Sequence, residues 1–340
     1  MPVERVRRLR RRWTALLLAA VLGGSAGVAG WQVLGSPKAT ADDLPAAVRS
    51  APVSGIYVGP GDPGGVIDFG HWRKVPAGFA SDFISSVSWA EIAKPTWLLG
   101  RWQGSGIKLM LGVPMLPDDG PDSIAEGARG DYNQYFRALA QNLVRYGQAS
   151  SSLRIGWEMN GTWYRWSAVA DPSGWIAYYR QIVTTMRSVP GAHFTFVWNP
   201  NIGTRSMDAA AAYPGDAYVD EIGMDVYDWE WNTPEATPQS RWDWILTHPN
   251  GLNWLADFGQ AHFKPISLPE WGLARPEENT NGGGGDDPYY IRQMLEWCAT
   301  HDVAHESYFN YGSHRLASFP EAARAYRSSI QELDRLAAMS

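Results

Sequence analysis

Residues 153–161 read Leu153-Arg154-Ile155-Gly156-Trp157-Glu158-Met159-Asn160-Gly161, and residues 265–272 read Pro265-Ile266-Ser267-Leu268-Pro269-Glu270-Trp271-Gly272. Each is a short apolar run that breaks into an aromatic, polar turn carrying one glutamate. Further runs of strand length lie at Gly55–Gly59, Asp82–Ser86, Ile107–Val113, Phe194–Asn199, Glu221–Val226 and Ala304–Phe309. Helical patterns fall between or after them, at Tyr132–Tyr146, Gly174–Arg187, Leu252–His262, Tyr289–His301 and Glu321–Leu336. Most of the short runs are apolar on both faces, as parallel strands covered by helices require. Eight strands in residues 55–338 predict an α/β fold, a (β/α)8 TIM barrel forming a single catalytic domain; a doubly wound open sheet is the alternative. Pro60–Ala80 is rich in Gly and Pro and is the weakest part of the pattern. Gly282–Gly285, within Asn281–Asp287, reads as a mobile loop.

The chain has 340 residues, 29 Lys+Arg against 35 Asp+Glu, one Cys and 18 Trp. With 45% apolar and 19% charged residues it has enough material for a large core. Cys298 stands alone, so neither a disulfide framework nor a cysteine zinc site can form. Residues 1–41 carry a net +6, which leaves −12 on the remaining 299 residues. A body that acidic is unsuited to nucleic acid or anionic lipid, because both demand neutralised phosphates.

The basic stretch Arg5–Arg12, the uncharged run Trp13–Gly35 and the small residues Ala39 and Ala41 read as an export signal cleaved after Ala41. A retained signal anchor is the alternative, since the run is long enough to span a bilayer. Either reading sends the body out of the cytoplasm, secreted or anchored by an N-terminal membrane helix. Residues 42–54 read as a linker and 55–338 as the barrel.

In a (β/α)8 barrel the chemistry gathers where strands run into βα loops. Glu158 closes the fourth predicted strand and Glu270 the seventh, so the fold brings both to one mouth. A facing pair of carboxyls is the minimum for glycoside hydrolysis. One protonates the leaving oxygen while the other attacks the anomeric carbon or activates water. A salt bridge or helix cap is the plain structural reading of either glutamate alone.

The segment Gly156-Trp157-Glu158-Met159-Asn160-Gly161-Thr162-Trp163-Tyr164-Arg165-Trp166 resembles the acid/base segment of glycoside hydrolase family 26, the β-mannanase family. Leu268-Pro269-Glu270-Trp271-Gly272 resembles its nucleophile segment, and Trp198–Asn201, Asp225–Tyr227 and Gly283–Tyr290 resemble its later strands and loop. The resemblance implies a clan A barrel and a retaining mechanism without metal or cofactor, with Glu158 as acid/base and Glu270 as nucleophile. It further implies that Tyr227 hydrogen-bonds the nucleophile and that Trp163 lines the cleft beside the scissile bond. The chain departs from the family in two places. Trp157 stands where the mannanases carry His before the acid, which bears on mannan specificity. The eighth strand lacks the usual tryptophan, for which Tyr308 or Tyr311 are the substitutes at hand.

Other residues are weighed on position. Trp157, Trp166, Trp198, Trp229 and Trp271 fall at strand ends, where indoles stack on sugar faces. Trp231, Trp242 and Trp244 are either further platforms or loop core, and Trp175, Trp254 and Trp297 read as core. Asn199 is favoured over Asn201 as a partner for sugar hydroxyls. Asp225 points near the mouth, and a structural partner such as Arg165 or Arg205 explains it equally well. His71 and Trp72 are candidates for a distal subsite in the first βα loop, and His301 with His305 does not make a metal site. The expected activity is that of a retaining endo-β-glycanase, β-1,4-mannan first and another β-glycan (mixed-linkage glucan, β-1,3-xylan or a self-made exopolysaccharide) second. The expected partner is a neutral β-linked polysaccharide, with no nucleic acid and no membrane contact beyond an uncleaved N-terminal segment; a monomer is the default. A non-catalytic cell-surface sugar-binding barrel is the rival of a different class.

Overall fold

The computed structural model describes residues 51–229, 237–277 and 282–338. The export segment, most of the linker and Trp231 lie outside the described residues. Eight parallel strands close into a barrel in chain order. They are β1 (Val53–Tyr57), β2 (Phe79–Phe83), β3 (Leu109–Val113), β4 (Ser152–Ile155), β5 (Thr195–Trp198), β6 (Glu221–Tyr227), β7 (Ile266–Gly272) and β8 (Val303–Phe309). β1 and β8 seal the barrel with five paired positions, from Val53 opposite His305 to Tyr57 opposite Phe309. Val53 and Ser54, read as the end of the linker, therefore belong to the first strand.

The helices are α1 (Pro63–Arg73), α2 (Trp89–Ala93), α3 (Thr96–Trp102), α4 (Ile124–Ala128), α5 (Asn133–Arg145), α6 (Pro172–Arg187), α7 (Pro238–Thr247), α8 (Leu252–Ala261), α9 (Pro288–Thr300) and α10 (Pro320–Ala337). Three of them open on Asp-Pro: the carboxylates of Asp62, Asp171 and Asp287 accept amides of the first turn, and the proline sits where no amide partner is needed. The weakly periodic Pro60–Ala80 thus contains α1, whose start is set by capping and not by amphipathicity. The β5–β6 connection is the irregular one, carrying only the short 3-10 turn Ala209–Ala212. None of the helices among the described residues is long and apolar enough to cross a membrane.

Two charged networks tie the frame together. At the base, the fully buried Arg73 donates to Ser54 Oγ (2.7 Å), Tyr326 OH (3.0 Å) and the carbonyls of Val75 and Pro76, joining β1, α1 and α10. Near the mouth, Arg241 of α7 pairs with Asp228 (2.8 Å) and Asp287 (2.5 Å). Gly284 donates its amide to Asp228 O, Gly285 to Ala274 O, and Gly283 bridges Trp229. A Cβ on Gly284 would lie 1.9 Å from an Asp228 carboxylate oxygen, so glycine here allows close packing. The described part of the glycine-rich patch is accordingly pinned, not loose.

Arg73→Ala leaves a hydroxyl pair and several buried carbonyls without their donor. It should lower unfolding free energy by about 3 kcal/mol, read as a drop in the denaturant midpoint. A midpoint equal to wild type would show that the base does not depend on this guanidinium.

Candidate active site

β4 ends at Ile155, and the chain turns twice through the left-handed region, at Gly156 (φ 56°) and Glu158 (φ 54°). A Cβ on Gly156 would approach Met115 Sδ to 2.3 Å, which restricts that position to glycine. Glu158 is a non-glycine residue in a conformation that such residues rarely take, held there by its amide bond to Asn199 O (2.7 Å). The acid expected at the strand end therefore stands three residues beyond it.

Asn160 fastens the neighbouring loop. Its Nδ2 donates to Asn201 O (2.8 Å) and Gly203 O (3.2 Å), and its Oδ1 accepts Asn201 N (2.8 Å). Asn201 then donates Nδ2 to Glu158 Oε1 (2.6 Å), while Trp163 Nε1 donates to Glu158 Oε2 (2.7 Å). Burial, reinforced by the charge of Glu270, pushes the Glu158 carboxyl up to about 7, against the lowering pull of those two bonds and of Arg154.

Glu270 sits in β7 opposite Asp225 of β6, where the ladder register shifts between Gly223 and Asp225. Tyr227 OH donates to Glu270 Oε1 (2.7 Å). Arg154 of β4, fully buried, places Nη1 and Nη2 both 3.2 Å from Glu270 Oε2, donates Nε to Asn199 Oδ1 (2.6 Å) and forms an ion pair with Asp225. The partner of Asp225 is thus Arg154, not Arg165 or Arg205; Arg165 instead donates to the carbonyls of Pro117, Gly120 and Asp122. Arg154 escaped the sequence reading because it lies inside an apolar strand run, and only the inward pleat shows what it faces. The inward direction of β4 at that position was the signal available.

The two carboxyls differ in surroundings. Glu158 is buried among indoles and neutral donors, with its proton favoured. Glu270 accepts hydrogen bonds from a guanidinium and a phenol. One can give a proton while the other offers a lone pair.

Several expected platforms are placed elsewhere. Trp271 and Trp198 are fully buried between barrel and helices, with Nε1 bound to Glu306 (2.7 Å) and to Ala212 O (3.1 Å). Trp166 is buried under the turn, donating to Trp157 O (2.9 Å) and stacking on Tyr164. None of the three can meet a sugar; side chains just beside the mouth residues pack outward and carry the turn. Asn199 is likewise buried and engaged by Arg154, so Asn201 is the asparagine at the acid. His71 and Trp72 lie in the last turn of α1, not in a βα loop, and Trp72 stacks on Tyr326 of α10. Tyr308 is buried against Trp271 and Tyr326, and the β8 residue that faces the cleft is Phe309. Tyr311 stands half-exposed at the rim beside Tyr57, and Trp229 half-buried beside Tyr227. Trp157 lines the cleft, with its only N–H given to Tyr164 OH (3.1 Å). Trp175, Trp242 and Trp297 are core, while Trp254 and Trp244 are half-buried. Among the described residues there is no group of three or more His, Cys, Asp or Glu able to hold a metal ion.

The closed (β/α)8 barrel thus sets two electrostatically coupled glutamates of unlike surroundings at one mouth. Residues 124–251, which span β4, β5 and β6, match the Glycosyl hydrolase family 26 model. The chain is 28% identical over 180 residues to the mannan endo-1,4-β-mannosidase of Bifidobacterium adolescentis, a match covering 50% of this chain and 18% of that protein. It is 27% identical over 213 residues to endoglucanase H of Acetivibrio thermocellus, covering 59% of this chain and 22% of that protein. The chain thus spans only about a fifth of the length of these curated relatives. The solved modular endo-β-1,4-mannanase of Cellulomonas fimi superposes with TM-score 0.59 at 16% identity, over 81% of this chain and 70% of that one, which shows the shared fold.

Trp163→Phe removes a donor that favours the ionised form of Glu158. Its carboxyl should therefore titrate at higher pH than in wild type, measurable by carbon-13 NMR of labelled glutamate. A shift to lower pH would contradict the role of that N–H.

Proposed function

We propose that the chain is a glycosidase acting on β-linked polysaccharide by double displacement, with β-1,4-mannan as first substrate. The observation that carries this is the asymmetric carboxyl pair: Glu158 raised to about 7 by burial, and Glu270 held by Arg154 and Tyr227. Protonated Glu158 donates to the glycosidic oxygen as Glu270 attacks the anomeric carbon and forms a covalent glycosyl-enzyme. Glu158, now a base, takes a proton from water, which attacks the same carbon, expels Glu270 and releases the sugar with its configuration retained. Tyr227 and Arg154 hold the Glu270 oxygens in line, and exposed Trp163 offers a stacking face next to the acid.

The mannan reading draws on the Bifidobacterium relative, and a β-glucan reading draws on the endoglucanase and on Trp157. An indole whose donor is already used offers a sugar only its face, so this wall recognises shape instead of a hydroxyl pattern. Export of the barrel, by a cleaved signal or a retained anchor in residues 1–41, completes the proposal and places the enzyme where polysaccharide is met.

The purified protein should release oligosaccharides from one of β-mannan, lichenan, β-1,3-xylan and laminarin. Glu158→Gln and Glu270→Gln should each lose about 10³-fold or more in kcat. With an activated aryl glycoside, azide should rescue Glu158→Ala to a glycosyl azide of retained configuration and Glu270→Ala to one of inverted configuration. Activity surviving in Glu270→Ala without azide would sink the assignment.

The pH profile follows from the same geometry. A carboxyl raised to about 7 keeps its proton through the acid and neutral range, so kcat/KM should fall as pH rises past about 7. A profile flat to pH 9 would exclude Glu158 as the acid.

A further inference from the structure

We infer that Trp97 is the platform of a distal subsite for a neutral pyranose ring, on the glycone side of the scissile bond. The inference rests on the glycosidase reading above and extends it. A cavity of about 740 Å³ opens from Glu270 along the ends of β1, β2 and β8 and the loop after β2. Its wall includes Tyr57, Phe83, Trp157 and Phe309 near the nucleophile and Val87, Glu91, Lys94 and Trp97 at the far end. That volume lies in the range of about 300–1,000 Å³ typical of ligand clefts, more than one sugar ring fills.

Trp97 is 64% exposed, yet it is held in place. The buried Asp82 accepts Gly61 N (2.8 Å) and Trp102 Nε1 (2.7 Å), and Arg101 Nε donates to Gly61 O (2.9 Å). Trp97 and Trp102 are both on α3, so this lattice fixes the helix against the β1 loop. A Cβ on Gly61 would come within 3.1 Å of Cη2 of the Trp97 ring, so the glycine, itself at φ 61°, lets the ring edge pack closely against the backbone. A fixed, exposed indole in a cleft wall contributes little to the core; its free face suits the apolar face of a pyranose. Glu91 and Lys94 flank it with one charge of each sign, leaving hydrogen-bonding groups without a net charge for an ionic ligand.

Direction follows from the carboxyls. The sugar that stays on Glu270 is the glycone, while the leaving group is the part protonated by Glu158. Glu270 lines this arm, and Glu158, Trp163 and Asn201 do not. The arm therefore takes the non-reducing side of the chain.

The test uses oligosaccharides of two to six units from whichever β-glycan the wild-type protein hydrolyses. Trp97→Ala should reduce kcat/KM on the hexasaccharide about tenfold, chiefly through KM, with losses that shrink as the chain shortens. The preferred bond should move toward the non-reducing end, and Trp97→Phe should restore most of the loss. The melting temperature should be unchanged, since the ring is largely exposed. Equal losses at every chain length, no loss at all, or a shift of cleavage toward the reducing end would overturn the inference while leaving the glycosidase reading intact. A wild-type protein inert on every glycan would overturn both.

Discussion

The mouth of this barrel is organised around one buried cation. A guanidinium taken out of water is costly unless its hydrogen bonds and charge are met, and Arg154 is met by Asn199, Asp225 and Glu270 together. Each partner comes from a different strand or strand end, so β4, β5, β6 and β7 are fixed relative to one another by the same side chain. The shift in the β6–β7 ladder after Gly223 falls where Asp225 and Glu270 come level.

The same arrangement separates the roles of the two glutamates. Arg154 acts directly on Glu270 and more weakly on Glu158, where burial and the Glu270 charge dominate. Glu158 is brought to its place by backbone, through two left-handed residues and an asparagine clamp that runs from Asn160 to Asn201. Strain in the turn is offset by these bonds, and both oxygens of the Glu158 carboxyl are oriented, one by Asn201 and one by Trp163. Such prior orientation is what transition-state stabilisation needs.

The tryptophans divide by which side of the strand end they leave. Trp166, Trp198 and Trp271 turn away from the mouth and fill the layer between strands and helices, their N–H groups bonded to backbone or to Glu306. Trp157 lines the cleft wall, and Trp163 beside Glu158 and Trp97 on α3 stand exposed.

The order of strands, the barrel class and both glutamates were legible in the residues, because burial on both faces leaves continuous apolar runs and polar groups interrupt them at the strand ends. Tyr227 and Trp163 were legible through the motifs around them. The first helix was not, since Asp62-Pro63 starts it without an apolar stripe, and neither was the pinning of the glycine loop by Arg241. Sequence by itself determined which turns carry Glu158, Glu270, Tyr227 and Trp163. Only the tertiary structure decided which way each points, because one residue's displacement along a strand or one left-handed turn reverses the side a chain faces. That is why Asn201 and not Asn199 meets Glu158, why Trp271 is core, and why Arg154, hidden in an apolar strand, bonds Glu270.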